Sequence, residues 1–182
     1  MSTSAPSGKL QLVATPIGNL GEISPRVAEA FKAADEIYCE NTPSALRLLT
    51  HLGITGKTLK ALHEANEGDY AADIAIKIAS GKSVAYASEA GVPCISDPGF
   101  RLARECRRQN LRVEAIGVPS AFLNALVISG LPSDTFTFHG FPPIKSVARQ
   151  KFFATACSGD ATAIFYESCH RIEKSLADLR EA

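Results

Sequence analysis

The stretch Ser83–Ile116, SVAYASEAGVPCISDPGFRLARECRRQNLRVEAI, holds in one piece the pattern that decides the fold. Ser83–Ala87 is a short apolar run of β-formers, Phe100–Gln109 has helical spacing closed by Asn110, and Arg112–Ile116 is strand-like again. Strand, helix and strand in succession make a crossover unit, the connection that parallel strands require. Between the first strand and the helix lies Ser88–Gly99, a long loop carrying two acids and two glycines. Ordered loops of that length tend to be functional.

Outward from this unit the alternation repeats. Leu10–Ala14, Glu36–Cys39 and Thr58–Leu62 read as strands before it, Phe136–His139 and Thr162–Tyr166 after it. Ser24 as N-cap with Pro25 in the first helical position opens a helix running to Ala34. Ser44–Leu52, Asp69–Ser80 and Ser120–Ser129 are helical segments stopped by Gly53, Gly81 and Gly130. The expected class is α/β: a mostly parallel sheet with helices on both faces, because crossovers bury each face.

A proline and polar cluster at Leu131–Asp134 interrupts the rhythm. An N-terminal α/β domain is therefore expected over residues 9–130, and the start of a smaller C-terminal α/β domain over 135–182. Residues 1–8 are small and polar, lack the apolar region of a signal peptide, and are expected to be a disordered lead-in. The second domain is expected to be incomplete. Only two strands are legible after Thr135, and Ile172, Leu176 and Leu179 keep helical spacing to Arg180 with no glycine stop. Such a chain is either truncated or completed by a partner.

Composition narrows the classes. At 46% hydrophobic residues the chain can bury a core, and its formal net charge of zero supplies no field for indiscriminate polyanion binding, so any nucleic-acid contact is local. No run of about 18 apolar residues exists, which excludes a helical membrane span. Five cysteines, odd in number and without a CxxC pair, fit reduced thiols in the cytoplasm. Four histidines and five cysteines show no ligand spacing, so no metal is expected. A serine-hydrolase elbow is missing, and Cys169 with His170 are turn neighbours that rarely converge on one point.

In open parallel sheets ligands sit at the carboxyl ends of the strands, which directs attention to four loops. Thr15–Gly21, TPIGNLG, combines glycines with a proline and permits close backbone approach to a ligand, or is a plain turn. In Ser88–Gly99, Glu89 and Asp97 offer carboxylates to a ribose or amino group, unless Asp97 only sits near a helix N-cap. Gly117–Ala121, GVPSA, presents free backbone N–H groups, with Ser120 equally readable as an ordinary N-cap. Tyr166–Arg171, YESCHR, gathers an acid, a thiol, an imidazole and a guanidinium.

In order, these loops resemble the motifs of the ribosomal RNA small subunit (cytidine-2′-O-)-methyltransferase family, within the tetrapyrrole methylase superfamily. Thr15–Leu20 looks identical to the family's opening motif, Leu62–Glu67 is similar to its second, and Ser88–Gly99 and Tyr166–Arg171 resemble two more. The resemblance, collinear over Leu10–Leu179, implies a two-domain fold, an S-adenosyl-L-methionine cofactor and a homodimer acting on ribosomal RNA or the small ribosomal subunit. By motif position it implies cofactor contacts at Pro16, Glu89, Val92, Ser120, Ala121 and Glu167, and substrate contacts at Asn19, Asn66, His170 and Arg171. Because a ribose hydroxyl is a poor nucleophile until its proton is drawn off, His63 and Glu67 are the candidate bases. Arg101, Arg104 and Arg108, with Arg107 and Arg112 nearby, read either as a phosphate-contacting face or as a solvated one.

The chain departs from the family pattern at three places. Glu40-Asn41-Thr42-Pro43 stands where the family commonly has Glu-Asp-Thr-Arg, Glu89 replaces an aspartate, and Val118 stands where glycine is usual. Two rival readings therefore stay open: a methyltransferase of the same fold acting on a tetrapyrrole or other small substrate, and a non-catalytic cofactor-binding or assembly module.

Overall fold

The computed structural model describes residues 8–117 and 119–182. The expected lead-in, apart from Gly8, and the crowding expected at Val118 lie outside the described residues. The chain divides into two compact units, Met1–Ser120 and Ala121–Ala182.

The first unit is a five-stranded sheet in the order β3-β2-β4-β1-β5. Its strands are β1 (Lys9–Val13), β2 (Glu36–Cys39), β3 (Leu59–Ala61), β4 (Ser83–Ala87) and β5 (Arg112–Ile116), and every pairing is parallel. Each register is set by alternation. Val13, Ile37, Ala85 and Ala87 face α1 (Pro25–Ala33) and α2 (Thr42–His51), burying Phe31, Leu48 and Leu49. Leu10, Tyr38, Val84 and Tyr86 face α3 (Glu64–Ala79) and α4 (Phe100–Arg108), burying Ile74, Ile78, Leu102 and Cys106. Strands buried on both faces have to be near-continuously apolar, as β4 is.

Local chemistry places the helix ends. Ser24 accepts from the Arg26 N–H with Pro25 at the first helical position, as expected. α2 begins two residues before the expected start because Asn41 caps it, its Oδ1 accepting from the Ser44 N–H at 3.1 Å. α3 begins at Glu64 rather than Asp69. Gly68 is interior to that helix, and a Cβ there would lie 2.8 Å from Nη1 of Arg101.

The second unit holds α5 (Ala121–Ser129), β6 (Phe136–Phe138), α6 (Ser146–Ala156), β7 (Thr162–Ile164) and α7 (Ile172–Glu181), with β6 and β7 parallel. The division falls ahead of α5, not after it as the proline cluster suggested. Phe122 of α5 stacks on Phe138 at 4.6 Å between ring centroids and tilts against Tyr166, and such aromatic packing outweighs a local break in the pattern. Ser146, Arg149 and Gln150 of α6 all donate to the Asp178 carboxylate, joining α6 to α7.

Candidate functional site

The strand order makes a crevice at the carboxyl edge of the first unit's sheet. From β1 the chain crosses β4 through α1 to reach β2, while from β4 it crosses β1 through α4 to reach β5. The two helices lie on opposite faces, which makes the carboxyl ends of β1 and β4 the topological switch point of the sheet, where ligands of open α/β sheets sit.

Three of the four loops meet there. Thr15 and Gly91 form an antiparallel bridge, with N–H to O distances of 2.9 and 3.0 Å in the two directions. The buried Thr15 hydroxyl donates to the Ser88 carbonyl. A Cβ on Gly91, whose φ is +80°, would lie 3.4 Å from Ile17 and 3.9 Å from the Pro119 carbonyl, which brings the third loop to the same point. Gly18, with φ of +126°, has nothing within 4 Å of where a side chain would stand, leaving bare backbone open to a ligand. Pro16 and Val92 are half-buried here, Glu89 is exposed and Ser120 is buried.

The acids at this edge interact. The Glu89 N–H donates to Glu40, and Asn41 Nδ2 donates to Glu89 Oε1 at 3.4 Å. Asp97 does not cap α4, whose N-cap is Gly99 at φ of +115°. Its half-buried carboxyl is pushed up to about 6, first by desolvation, then by the charges of Glu40 and Glu89, with the Ser88 hydroxyl acting in the opposite sense. Burial pushes the neighbouring Cys94 thiol up to about 11, which keeps it protonated and unreactive at neutral pH.

The raised Asp97 value carries a stability consequence. The folded state holds this proton more tightly than the unfolded chain, whose ordinary value is 3.8. Asp97 therefore favours folding least above pH 6, and its penalty fades as pH falls toward 4. Asp97→Asn is expected to raise the urea midpoint at pH 7.5 and to leave it unchanged at pH 4. An equal gain at both values would mean that the charge is not the cause.

Glu67 does not suit the role of base. Its side chain is 3% exposed, and Oε1 accepts from the N–H groups of Gly99 at 3.1 Å and Leu102 at 2.8 Å. It is thus the side-chain cap of α4, supplied from α3, and its position near the N-terminus of α4 suits a negative charge. His63 is exposed ahead of α3, and its N–H donates to Asn66 Oδ1 at 2.8 Å. Asn19 caps a short 3-10 turn, Leu20–Glu22, by accepting from the Gly21 N–H.

In the second unit Glu167 works inside its own loop. One oxygen accepts from the Ser168 N–H and Arg171 Nε, and the other from the Ser175 hydroxyl. Burial alone would raise its carboxyl, but these donors hold it below the usual range. Arg171 also donates to the Pro142 carbonyl, while His170 is exposed. Of the arginines on α4 and after it, Arg108 pairs with Glu105, Arg112 pairs with Glu114 and Arg104 lies 5.3 Å over the Phe100 ring.

Sequence reasoning passed over one feature of this edge. A cavity of about 340 Å³ opens beside Pro16 and Glu89 and runs under α2, with Leu48, Leu49 and Phe31 forming its apolar depth and Arg47 at its lining. Only the packing of α2 against α1 and the sheet creates it. The sequence signal was an arginine four residues after Pro43, one turn along the same helix.

The sequence profile of the Tetrapyrrole (Corrin/Porphyrin) Methylases matches residues 9–182. The chain belongs to this family of S-adenosylmethionine-dependent methyltransferases. Among curated relatives, the protein named ribosomal RNA small subunit methyltransferase I is 46% identical over 172 residues in Xylella fastidiosa and 45% over 170 residues in Vibrio cholerae. These alignments cover 94% and 93% of the chain but 63% and 59% of the relatives, so the chain spans about three fifths of their length. A solved diphthine synthase shares the fold, with a TM-score of 0.68 at 18% identity, covering 96% of the chain and 73% of that protein. The two-domain α/β, mostly parallel architecture is that of this family.

Proposed function

We propose that the chain is the cofactor-binding part of an S-adenosyl-L-methionine-dependent methyltransferase that modifies a cytidine ribose 2′-hydroxyl of small-subunit ribosomal RNA. The observation that carries this reading is the convergence of the loops after β1, β4 and β5 at the switch point, stitched by Thr15 and Gly91. The names of the relatives support the RNA substrate. The open backbone at Gly18 and the buried hydroxyl of Ser120 fit a ligand that needs close approach and a few polar anchors.

On this reading Pro16, Glu89, Val92 and Ser120 of the first unit hold the cofactor, and the motif positions of Ala121 and Glu167 assign them to cofactor binding as well. The bound cofactor supplies an electrophilic methyl group. Glu167 acts by fixing the Tyr166–Arg171 loop through its own hydrogen bonds. Asn19, Asn66, His170 and Arg171 contact the substrate, and exposed His63 draws the proton from the ribose hydroxyl. The arginines of α4 contribute phosphate contacts. The same reading makes the protein a cytoplasmic homodimer; among the described residues no helix is long and apolar enough to cross a membrane.

Calorimetric titration with S-adenosylmethionine and S-adenosylhomocysteine tests the site. Saturable binding is expected, weakened about tenfold by Ser120→Ala, the loss of one well-placed polar contact. A folded protein that binds neither ligand would remove the methyltransferase reading and favour the assembly module.

A further inference from the structure

The cavity beneath α2 has a chemistry of its own. Its depth is apolar, built by Phe31, Ile37, Leu48 and Leu49, and hydroxyls of Thr15, Ser44 and Ser88 lie along its lining. Arg47 is exposed and has no ion pair among the described residues, so its guanidinium is free for an anion. Opposite in sign, Glu89 lines the same cavity, and one of its two carboxylate oxygens has no hydrogen-bond partner among the described residues.

Size and charge select the occupant. A volume of about 340 Å³ stands at the lower end for ligand pockets, enough for a nucleoside and too small to enclose a tetrapyrrole macrocycle. An apolar slot takes an unstacked base, and a guanidinium meets phosphate.

Arg47 also bears on the departure at Pro43. Where the family commonly carries an arginine this chain has proline at the start of α2, and Arg47 stands four residues on, on the same helical face.

We propose that this cavity receives the target pyrimidine nucleotide of the RNA, the base entering between α2 and the β1 loop and its phosphate meeting Arg47. The proposal rests on the methyltransferase reading for its substrate class. It makes Arg47 a substrate-binding residue and Ala45, on the cavity wall, a place where bulk blocks entry.

The test is ligand-observed NMR titration of the purified chain with cytidine 5′-monophosphate, cytidine and S-adenosylhomocysteine, folding being checked by circular dichroism. Arg47→Gln is expected to weaken cytidine monophosphate about tenfold, the loss of one charge-assisted contact, and to leave cytidine unchanged. Ala45→Phe is expected to abolish binding of both while S-adenosylhomocysteine still binds. Equal weakening of nucleotide and nucleoside by Arg47→Gln, or displacement of cytidine monophosphate by S-adenosylhomocysteine, overturns the proposal. Failure of the cofactor to bind while the nucleotide binds normally overturns the methyltransferase reading instead. Arg47 is exposed, so its variant decides the matter even if Ala45→Phe does not fold.

Discussion

Glu67→Ala is expected to destabilise the first unit by about 2–6 kcal/mol, since it strips two buried amides of their acceptor at about 1–3 kcal/mol each. The amides are those of Gly99 and Leu102, at the start of α4, and the acceptor is 3% exposed. Neither donor has an intrahelical partner available, because the first N–H groups of any helix lack one. Glu67→Gln retains a carbonyl oxygen in the same place and is expected to recover most of the loss. Urea unfolding of the three proteins measures this. A loss below about 1 kcal/mol for alanine would mean that water replaces the carboxylate and that Glu67 is free for another task.

Gly99→Ala is the second large effect, expected at about 2–4 kcal/mol. Part is conformational, since φ of +115° is a region that L side chains rarely adopt, at a cost of about 1–3 kcal/mol. The rest is steric, because the new Cβ would stand 2.8 Å from Tyr86 Cε1 and 3.1 Å from Cys94 Sγ, and Tyr86 is fully buried in the core. Gly53→Ala separates the two parts. Gly53 has φ of +65° with nothing within 4 Å of a new Cβ, so it is expected to show the conformational part alone. Equal costs at the two positions would remove the steric argument. Because the Gly99 N–H donates to Glu67, the double variant is expected to lose less than the sum of the single ones.

Both changes strike the junction that holds the Ser88–Gly99 loop against the switch point. That loop also carries positive φ at Cys94, +73°, and Ser96, +58°, and closes on itself through the Cys94 N–H and the Pro98 carbonyl. Its shape is fixed from α3 as much as from within.

β2 and β4 were legible because burial on two faces demands near-continuous apolar runs, and both fall at the expected residues, as does the edge strand β5 with its more polar sequence. Helix starts were less so. α3 starts at Glu64, ahead of the expected Asp69, and takes in Gly68, where the Arg101 guanidinium lies in the place of a side chain. Asn41, which stands where the family commonly has aspartate, is the cap of α2 and a donor to Glu89.

What the sequence by itself determined is the α/β class and the order of its elements, because periodicity, caps and turn residues act over a few neighbouring positions. The tertiary structure alone decided what each acid does. Glu67 became a helix cap, Glu167 the organiser of its own loop, and Asp97 a carboxyl pushed up by burial first and then by Glu40 and Glu89. It also decided that a cavity lies under Arg47. Those outcomes depend on distances between residues far apart in the chain, and desolvation and Coulomb forces respond to those distances, not to sequence separation.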